Sequence, residues 1–161
     1  MILKRFLNKR NLYILLTLLW VVVIFTFSLQ PADASNQISS GLVRKIVELF
    51  IPNISEKGWE ILHFLIRKAG HFTEFFVLGI FSMLTIFQTK IRLKKIQGLS
   101  FCAVIATMDE TIQLFVNGRS GQVSDVVLDS VGALVGIAVI VIIQVLYDNK
   151  NKCFTIIKTS I

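Results

Sequence analysis

The residues most able to do chemistry in this sequence are charged side chains placed inside apolar runs. Arg67, His71 and Glu74 follow one another at spacings of four and three residues, so they share one face of a helix, and Lys68 lies beside them. Ionisable side chains are costly within a membrane helix, tend to face the bundle interior, and mark functional sites. The spacing therefore predicts a polar, functional surface on an otherwise apolar helix.

Two further apolar runs are also interrupted by charged or amide side chains. Asp109 and Gln113 are four residues apart, with Glu110 offset around the helix, and Asp125 and Asp129 share a face of the last run. In antiparallel helices all of these side chains fall at one membrane depth, which predicts a polar pocket. The predicted pocket residues are Arg67, Lys68, His71, Glu74, Asp109, Glu110, Gln113, Arg119, Asp125 and Asp129.

The charge balance of this predicted pocket limits its chemistry. The predicted pocket contains three cationic side chains and five carboxylates. Such an excess of buried negative charge requires a protonated carboxylate, a charged His71 or a bound cation. One His and several oxygen ligands would suit Mg²⁺, Mn²⁺ or Ca²⁺ better than Zn²⁺. Because Arg67, Lys68 and Arg119 are also present, we favour a phosphate or carboxylate ligand, with a bridging cation left open; we assign no metal ligand, and the cofactor is unknown.

Catalysis and a purely structural role are both open alternatives. His71 and Glu74 have the side-chain types of an acid and a base, with Asp109 assisting, although the sequence lacks a nucleophile elbow, a phosphate-binding loop and a dinucleotide fingerprint. In the structural alternative, His71 and Glu74 form an ion pair that locks adjacent helices, and Asp125 stabilises the N-terminal end of its own helix.

The composition is that of a membrane protein. Of the 161 residues 54% are apolar and only 17% are charged, whereas a soluble domain needs more charge on its surface. The net charge of +7 comes from basic residues that flank apolar runs, which favours anionic lipid rather than nucleic acid as the partner. Two cysteines, Cys102 and Cys153, are too few for a disulfide framework.

Four apolar segments approach the roughly 20 residues that a membrane-spanning helix needs. They predict a single all-α domain over residues 1–161, with spans at 12–29, 69–88, 96–116 and 126–147. Residues 38–51 have apolar residues at helical spacing and predict an amphipathic helix in the outer interface. Ser55 is the expected N-cap of a further helix, which can run unbroken into the second span.

The basic residues also predict the orientation of the spans. Eleven Lys and Arg residues lie in the two termini and in the turn at 89–95, against six on the opposite side. The positive-inside rule then places both termini in the cytoplasm and the polar pocket outside. The A-x-A-like sequence at 32–34 offers signal-peptide cleavage as an alternative, but the first apolar run is longer than a signal-peptide core, which favours an uncleaved anchor.

Several of these residues form motifs that resemble the VanZ-like family of bacterial membrane proteins. The motifs are R-K-x-x-H-F-x-E at 67–74, D-E-x-x-Q-x-F at 109–115, R-x(5)-D-x(6)-G at 119–132, and S-L-Q-P at 28–31. The sequence departs from the family pattern at Phe75, where Tyr is common, and at Asp129, where Asn is common. These changes remove a hydroxyl from the predicted pocket and add a negative charge, so the ligand preference could differ.

The resemblance implies a multi-pass protein of the bacterial cytoplasmic membrane that reduces susceptibility to teicoplanin-type lipoglycopeptides. In our leading hypothesis the pocket engages a membrane lipid, a lipid-linked cell-wall precursor or the drug itself at the outer leaflet. The alternative is an intramembrane transferase or hydrolase that acts on a lipid-linked cell-wall precursor. A proton-coupled transporter would need polar groups through the whole membrane thickness, whereas the inner halves of the spans are almost purely apolar.

Overall fold

The described part of the chain contains four long helices. The structure is a computed structural model that describes residues 8–31, 47, 54–89 and 93–159, with side chains up to residue 151. The helices are α1 (Lys9–Ser28), α2 (Glu56–Phe87), α3 (Lys94–Gln113) and α4 (Val123–Thr159), and the described residues contain no strand. The prediction of an all-α fold is confirmed. The interfacial helix predicted at 38–51 lies outside the described residues, apart from residue 47.

Three of the four helices are long and apolar enough to cross a membrane, namely α1, α2 and the part of α4 from Val123 to Asn151. The helix α3 has 20 residues and lies where the third span is predicted, but it is not among these three. Its ends explain the difference, because Lys94 and Lys95 begin the helix and Asp109 and Glu110 lie in its last turns. The helix α3 contacts α1, α2 and α4, so it is packed within the bundle.

The helix α2 runs without a break for 32 residues. Its N-cap is Ser55, whose Oγ accepts a hydrogen bond from the backbone N–H of Gly58 at 3.2 Å. This confirms that the helix beginning after Ser55 continues into the second predicted span. Between α3 and α4 the chain turns at Gly118, whose φ of 76° lies in the left-handed region that a glycine adopts most easily.

The most extensive helix pairing is between α2 and α4. A Cβ placed on Gly132 would lie 2.6 Å from the carbonyl oxygen of Phe72, and one on Gly136 would overlap the carbonyl oxygen of Phe76. The G-x-x-x-G stripe of α4 therefore lies directly against the backbone of α2, as small residues allow in membrane helix pairs. This close approach fixes the distance between the two helices that carry most of the polar residues.

The interior of the helix bundle also contains an apolar core. Its buried cluster consists of Ile24, Phe75, Leu78, Cys102, Ile105, Ala106 and Ala133. The helix α1 is attached to α2 by two polar contacts: Trp20 donates from Nε1 to the carbonyl oxygen of Glu74 at 2.9 Å, and the hydroxyls of Thr17 and Thr85 lie 2.9 Å apart. Large apolar side chains such as Leu15, Leu18 and Val22 are exposed on α1, as expected for a lipid-facing surface.

Candidate functional site: a polar cavity and a buried carboxylate cluster

A stripe of five ionisable side chains follows one face of α2. The residues Glu60, His63, Arg67, His71 and Glu74 are separated by three, four, four and three residues, so they lie one above another on the helix. All five line a cavity of about 450 Å³. The stripe places two carboxylates, two imidazoles and one guanidinium on the same wall of this cavity.

The other walls of the cavity combine apolar groups with a second guanidinium. Phe27, Phe64 and Ile66 supply apolar surface, and Arg119 enters from the turn between α3 and α4. Arg119 is held there because its Nε donates a hydrogen bond to the carbonyl oxygen of Gln30 at 2.8 Å. Burial lowers the pKa of the Arg119 guanidinium, and the carboxylate of Asp109 counteracts this effect. An arginine side chain is a cation in proteins.

Lys68 is committed to a partner within the protein. Its ammonium group forms an ion pair with the carboxylate of Asp125, and it also lies 5.1 Å from the centre of the Phe64 ring. The side chain of Lys68 is 15% exposed and that of Asp125 is 3% exposed. This ion pair connects α2 to the first turn of α4, so Lys68 is not a free cation for a ligand.

Beside the cavity lies a cluster of carboxylates on α3. Asp109 accepts hydrogen bonds from the hydroxyl of Ser28 and from Nε2 of Gln113, the latter at 3.0 Å. Glu110 accepts a hydrogen bond from the backbone N–H of Gln122 at 2.8 Å and a longer one from Gln113 at 3.4 Å. Both carboxyl groups are buried and are held in place by donors from α1, from α3 itself and from the turn before α4.

His71 and Asp129 complete this cluster from α2 and α4. The Nδ1 of His71 lies 3.7 Å from an oxygen of Asp129, and both residues are buried. Within the described residues, His71 Nδ1 and both carboxylate oxygens of Asp129 have no hydrogen-bond partner. Together with Asp109 and Glu110, the two residues present potential ligand atoms that all lie within 4.8 Å of one another. His71 therefore belongs to the cavity wall and to the buried cluster.

A family model described as VanZ/LLP1 matches residues 13–144, which is most of the chain and includes every residue of the cavity and the cluster. The chain belongs to the VanZ/LLP1 family. No curated protein and no solved structure matches it. The assignment of this VanZ/LLP1 protein therefore rests on the sequence match over residues 13–144.

The structure places the ten predicted pocket residues of this VanZ/LLP1 protein in three different settings. Arg67, His71, Glu74 and Arg119 line the cavity. Five others are buried: Asp109, Glu110, Gln113, Asp125 and Asp129. Lys68 lies against Asp125. The predicted catalytic set is divided in the same way, because His71 and Glu74 line the cavity while Asp109 is bound to Ser28 and Gln113.

Three polar side chains at the site, those of Glu60, His63 and Ser28, are not among the residues predicted from the sequence. Glu60 and His63 continue the spacing of Arg67 and His71 towards the start of α2, so the helical period carried the signal that could have found them. Ser28 is part of a family-like motif, but its contact with Asp109 joins residues 81 positions apart. Only the packing of α1 against α3 shows that contact.

Proposed function

We propose that this VanZ/LLP1 protein binds an amphiphile with an anionic head group in the cavity. The observation that carries this proposal is the combination of Arg67 and Arg119 with the apolar surface of Phe27, Phe64 and Ile66 in one cavity. Guanidinium groups bind phosphate and carboxylate through paired hydrogen bonds. The apolar groups suit the first part of an acyl or prenyl chain.

The size of the cavity supports a head group rather than a whole lipid. Its volume of about 450 Å³ lies within the range of about 300–1,000 Å³ that small-molecule sites occupy. The tail of an amphiphile would therefore lie along the exposed apolar helix surfaces, in the lipid. Glu60 and Glu74 would bind amine or hydroxyl groups of the head or orient the two arginines.

We further propose that the cavity faces the outer leaflet of the bacterial cytoplasmic membrane, with four spans and both termini inside. The excess of Lys and Arg in the termini and in the turn at 89–95 supports this orientation. The ligand would be a membrane lipid, a lipid-linked cell-wall precursor or a lipoglycopeptide such as teicoplanin. Engaging any of these at the outer leaflet would lower susceptibility to the teicoplanin-type drugs.

Replacement of either arginine is expected to weaken ligand binding. Hydrogen bonds to charged groups contribute about 1.5–3 kcal/mol, so Arg67→Ala and Arg119→Ala should each reduce the affinity by about tenfold to a hundredfold. The measurement is native mass spectrometry of the purified protein with phosphatidylglycerol, undecaprenyl phosphate and teicoplanin as separate probes. Cells that produce each variant are tested for teicoplanin susceptibility in parallel.

The matched control for this experiment is Arg10→Ala. Arg10 is exposed in the first turn of α1, whereas the cavity lies near the opposite end of that helix. The substitution Arg10→Ala therefore removes the same charge as Arg67→Ala or Arg119→Ala without changing the cavity. If folded Arg67→Ala and Arg119→Ala proteins bind all three probes as well as Arg10→Ala does, the anion-binding proposal is wrong.

The alternative function is an intramembrane transferase or hydrolase that acts on a lipid-linked cell-wall precursor. The observation in its favour is that His71 and Glu74 line the same cavity and have side-chain types that transfer protons. Purified protein should then change the mass of a lipid-linked precursor, and His71→Gln and Glu74→Gln should each slow the reaction by at least about a hundredfold. A precursor that keeps its mass, with and without added divalent metal, would rule out this alternative.

A further inference from the structure

We propose that His71, Asp109, Glu110 and Asp129 form a binding site for one divalent cation of the Mn²⁺ type, beside the cavity. The four residues come from α2, α3 and α4, so the cation would connect three helices at one point. The proposal concerns the buried cluster and does not depend on which amphiphile the cavity binds.

The geometry of the cluster suits a single ion. Each of the four residues offers one ligand atom, and these atoms all lie within 4.8 Å of one another. Opposite ligands of a six-coordinate ion with bonds of about 2.1 Å are about 4.2 Å apart. Small side-chain rotations would therefore bring the four atoms to bonding distance without movement of the helices.

The strongest observation is the set of polar atoms that the protein itself leaves unsatisfied. Nδ1 of His71 and both oxygens of Asp129 have no hydrogen-bond partner among the described residues. His71 is 6% exposed and Asp129 is 0% exposed, so water from outside cannot easily replace a partner. A buried polar atom without a partner costs about 1–3 kcal/mol, and more when the group is charged. Direct bonds to a cation would satisfy all three atoms.

Charge leads to the same conclusion. Three carboxyl groups lie buried together, the nearby Lys68 is already paired with Asp125, and Arg119 donates a hydrogen bond to the carbonyl oxygen of Gln30. Isolated buried charges are strongly unfavourable, and carboxylates of this kind occur where they pair or coordinate a metal. A dication would offset two of the three negative charges while leaving the Lys68–Asp125 ion pair intact.

The other two carboxylates are already oriented as metal ligands usually are. Asp109 accepts hydrogen bonds from Ser28 and Gln113, and Glu110 accepts one from the backbone N–H of Gln122. In metal sites such outer hydrogen bonds fix the direction of the ligand, and each carboxylate oxygen keeps a lone pair for the ion. The cluster therefore combines two oriented carboxylates with two open ligands, His71 and Asp129.

The ligand types select the ion. Three carboxylates and one imidazole give a hard, oxygen-rich set with a single nitrogen. Mg²⁺ and Ca²⁺ favour oxygen ligands alone, and structural Zn²⁺ favours thiolates and several imidazoles. Mn²⁺ accepts carboxylates and tolerates imidazole, so it fits this set better than the other three ions.

The test begins with the full-length protein, produced without a histidine tag and stripped with EDTA. Mn²⁺ is then titrated into the protein, and the loss of the electron paramagnetic resonance signal of free Mn²⁺ reports binding. We expect one bound ion per chain. Asp129→Asn should weaken binding by at least about a hundredfold, and Ser28→Ala by about tenfold, since even outer hydrogen-bond partners are worth about 10–100-fold in affinity. Asp148→Asn is the matched control, because it is the same substitution on the same helix, at an exposed position outside the cluster.

The chain contains only two histidines, which allows a spectroscopic assignment. Pulsed electron paramagnetic resonance of bound Mn²⁺ should show modulation of the electron spin echo by the nitrogen of one imidazole. The modulation should disappear in His71→Gln and persist in His63→Gln, since His63 lies on the cavity wall without joining the cluster. Modulation that is lost in His63→Gln instead would place the ion elsewhere and overturn the proposal.

Thermal unfolding separates a metal site from a structural network. In EDTA, Asp129→Asn should raise the melting temperature, because it removes a buried carboxylate without a partner. In Mn²⁺ the wild type should gain stability and Asp129→Asn should not. The proposal is wrong if the wild type shows no saturable Mn²⁺ binding, if it binds only Zn²⁺, or if Asp129→Asn lowers the melting temperature equally in both conditions.

Discussion

Gly136→Leu is expected to prevent the protein from accumulating in a folded form. A Cβ on Gly136 would overlap the carbonyl oxygen of Phe76 and would lie 3.1 Å from the backbone nitrogen of Ile80. These are backbone atoms of α2, so no change of rotamer can make room, and the two helices would have to separate. Overpacking of a core costs about 1–3 kcal/mol even where side chains can adjust, so we expect about 3 kcal/mol or more for this variant.

A matched pair of smaller substitutions isolates the cause of this effect. Gly136→Ala adds one methyl group against the backbone of α2, whereas Gly70→Ala adds the same group where nothing lies within 4 Å. Gly70→Ala should be neutral or stabilising by up to about 1 kcal/mol, because alanine favours the helix. Gly136→Ala should be clearly destabilising. The measurement is the yield of monodisperse protein in detergent together with its melting temperature.

Equal behaviour of the two alanine variants would contradict the close packing of α2 against α4. That result would mean that the helices tolerate a wider separation, and the positions of His71 and Asp129 relative to each other would then be less constrained. The buried cluster depends on this packing, because His71 lies on α2 and Asp129 lies on α4.

The sequence was sufficient to predict the helices because long apolar runs carry a strong signal. The α1 and α4 runs contain few charges, and Ser55 marks the start of α2 with a capping side chain. The helix α3 was harder to interpret, because its apolar part is bounded by Lys94 and Lys95 at one end and by acidic residues at the other. A helix of this composition lies among its neighbours, and hydropathy alone does not describe that packing.

The site was only partly predictable because helical spacing defines a face of one helix and not the rotation of its neighbours. Spacing placed Arg67, His71 and Glu74 on one face of α2. It could not show that Asp109 is hydrogen-bonded to Ser28, 81 positions away, or that Glu110 accepts a hydrogen bond from the backbone of Gln122. The division into a cavity and a buried cluster therefore required the tertiary structure.

Lys68→Met is expected to destabilise the protein by about 3–5 kcal/mol, because it leaves a buried carboxylate without its partner. Asp125 is 2% exposed and forms an ion pair with Lys68. Methionine keeps most of the length and apolar surface of the lysine side chain, so the change mainly removes the charge. The measurement is the difference in unfolding free energy between the wild type and Lys68→Met. The purified proteins are unfolded with increasing amounts of sodium dodecyl sulfate, and the loss of helix is monitored by circular dichroism.

The two partners of this ion pair should respond unequally. Asp125→Asn leaves the ammonium of Lys68 unpaired, but that side chain is 15% exposed and can extend towards water, as long basic side chains do near membrane surfaces. We therefore expect Asp125→Asn to cost less than Lys68→Met. The double variant Lys68→Met/Asp125→Asn should recover most of the loss, since replacing both partners of a buried pair is often nearly neutral. A double variant as unstable as the sum of the two single variants would show that the residues do not interact, and the attachment of α2 to the start of α4 would then have to come from the glycine packing alone.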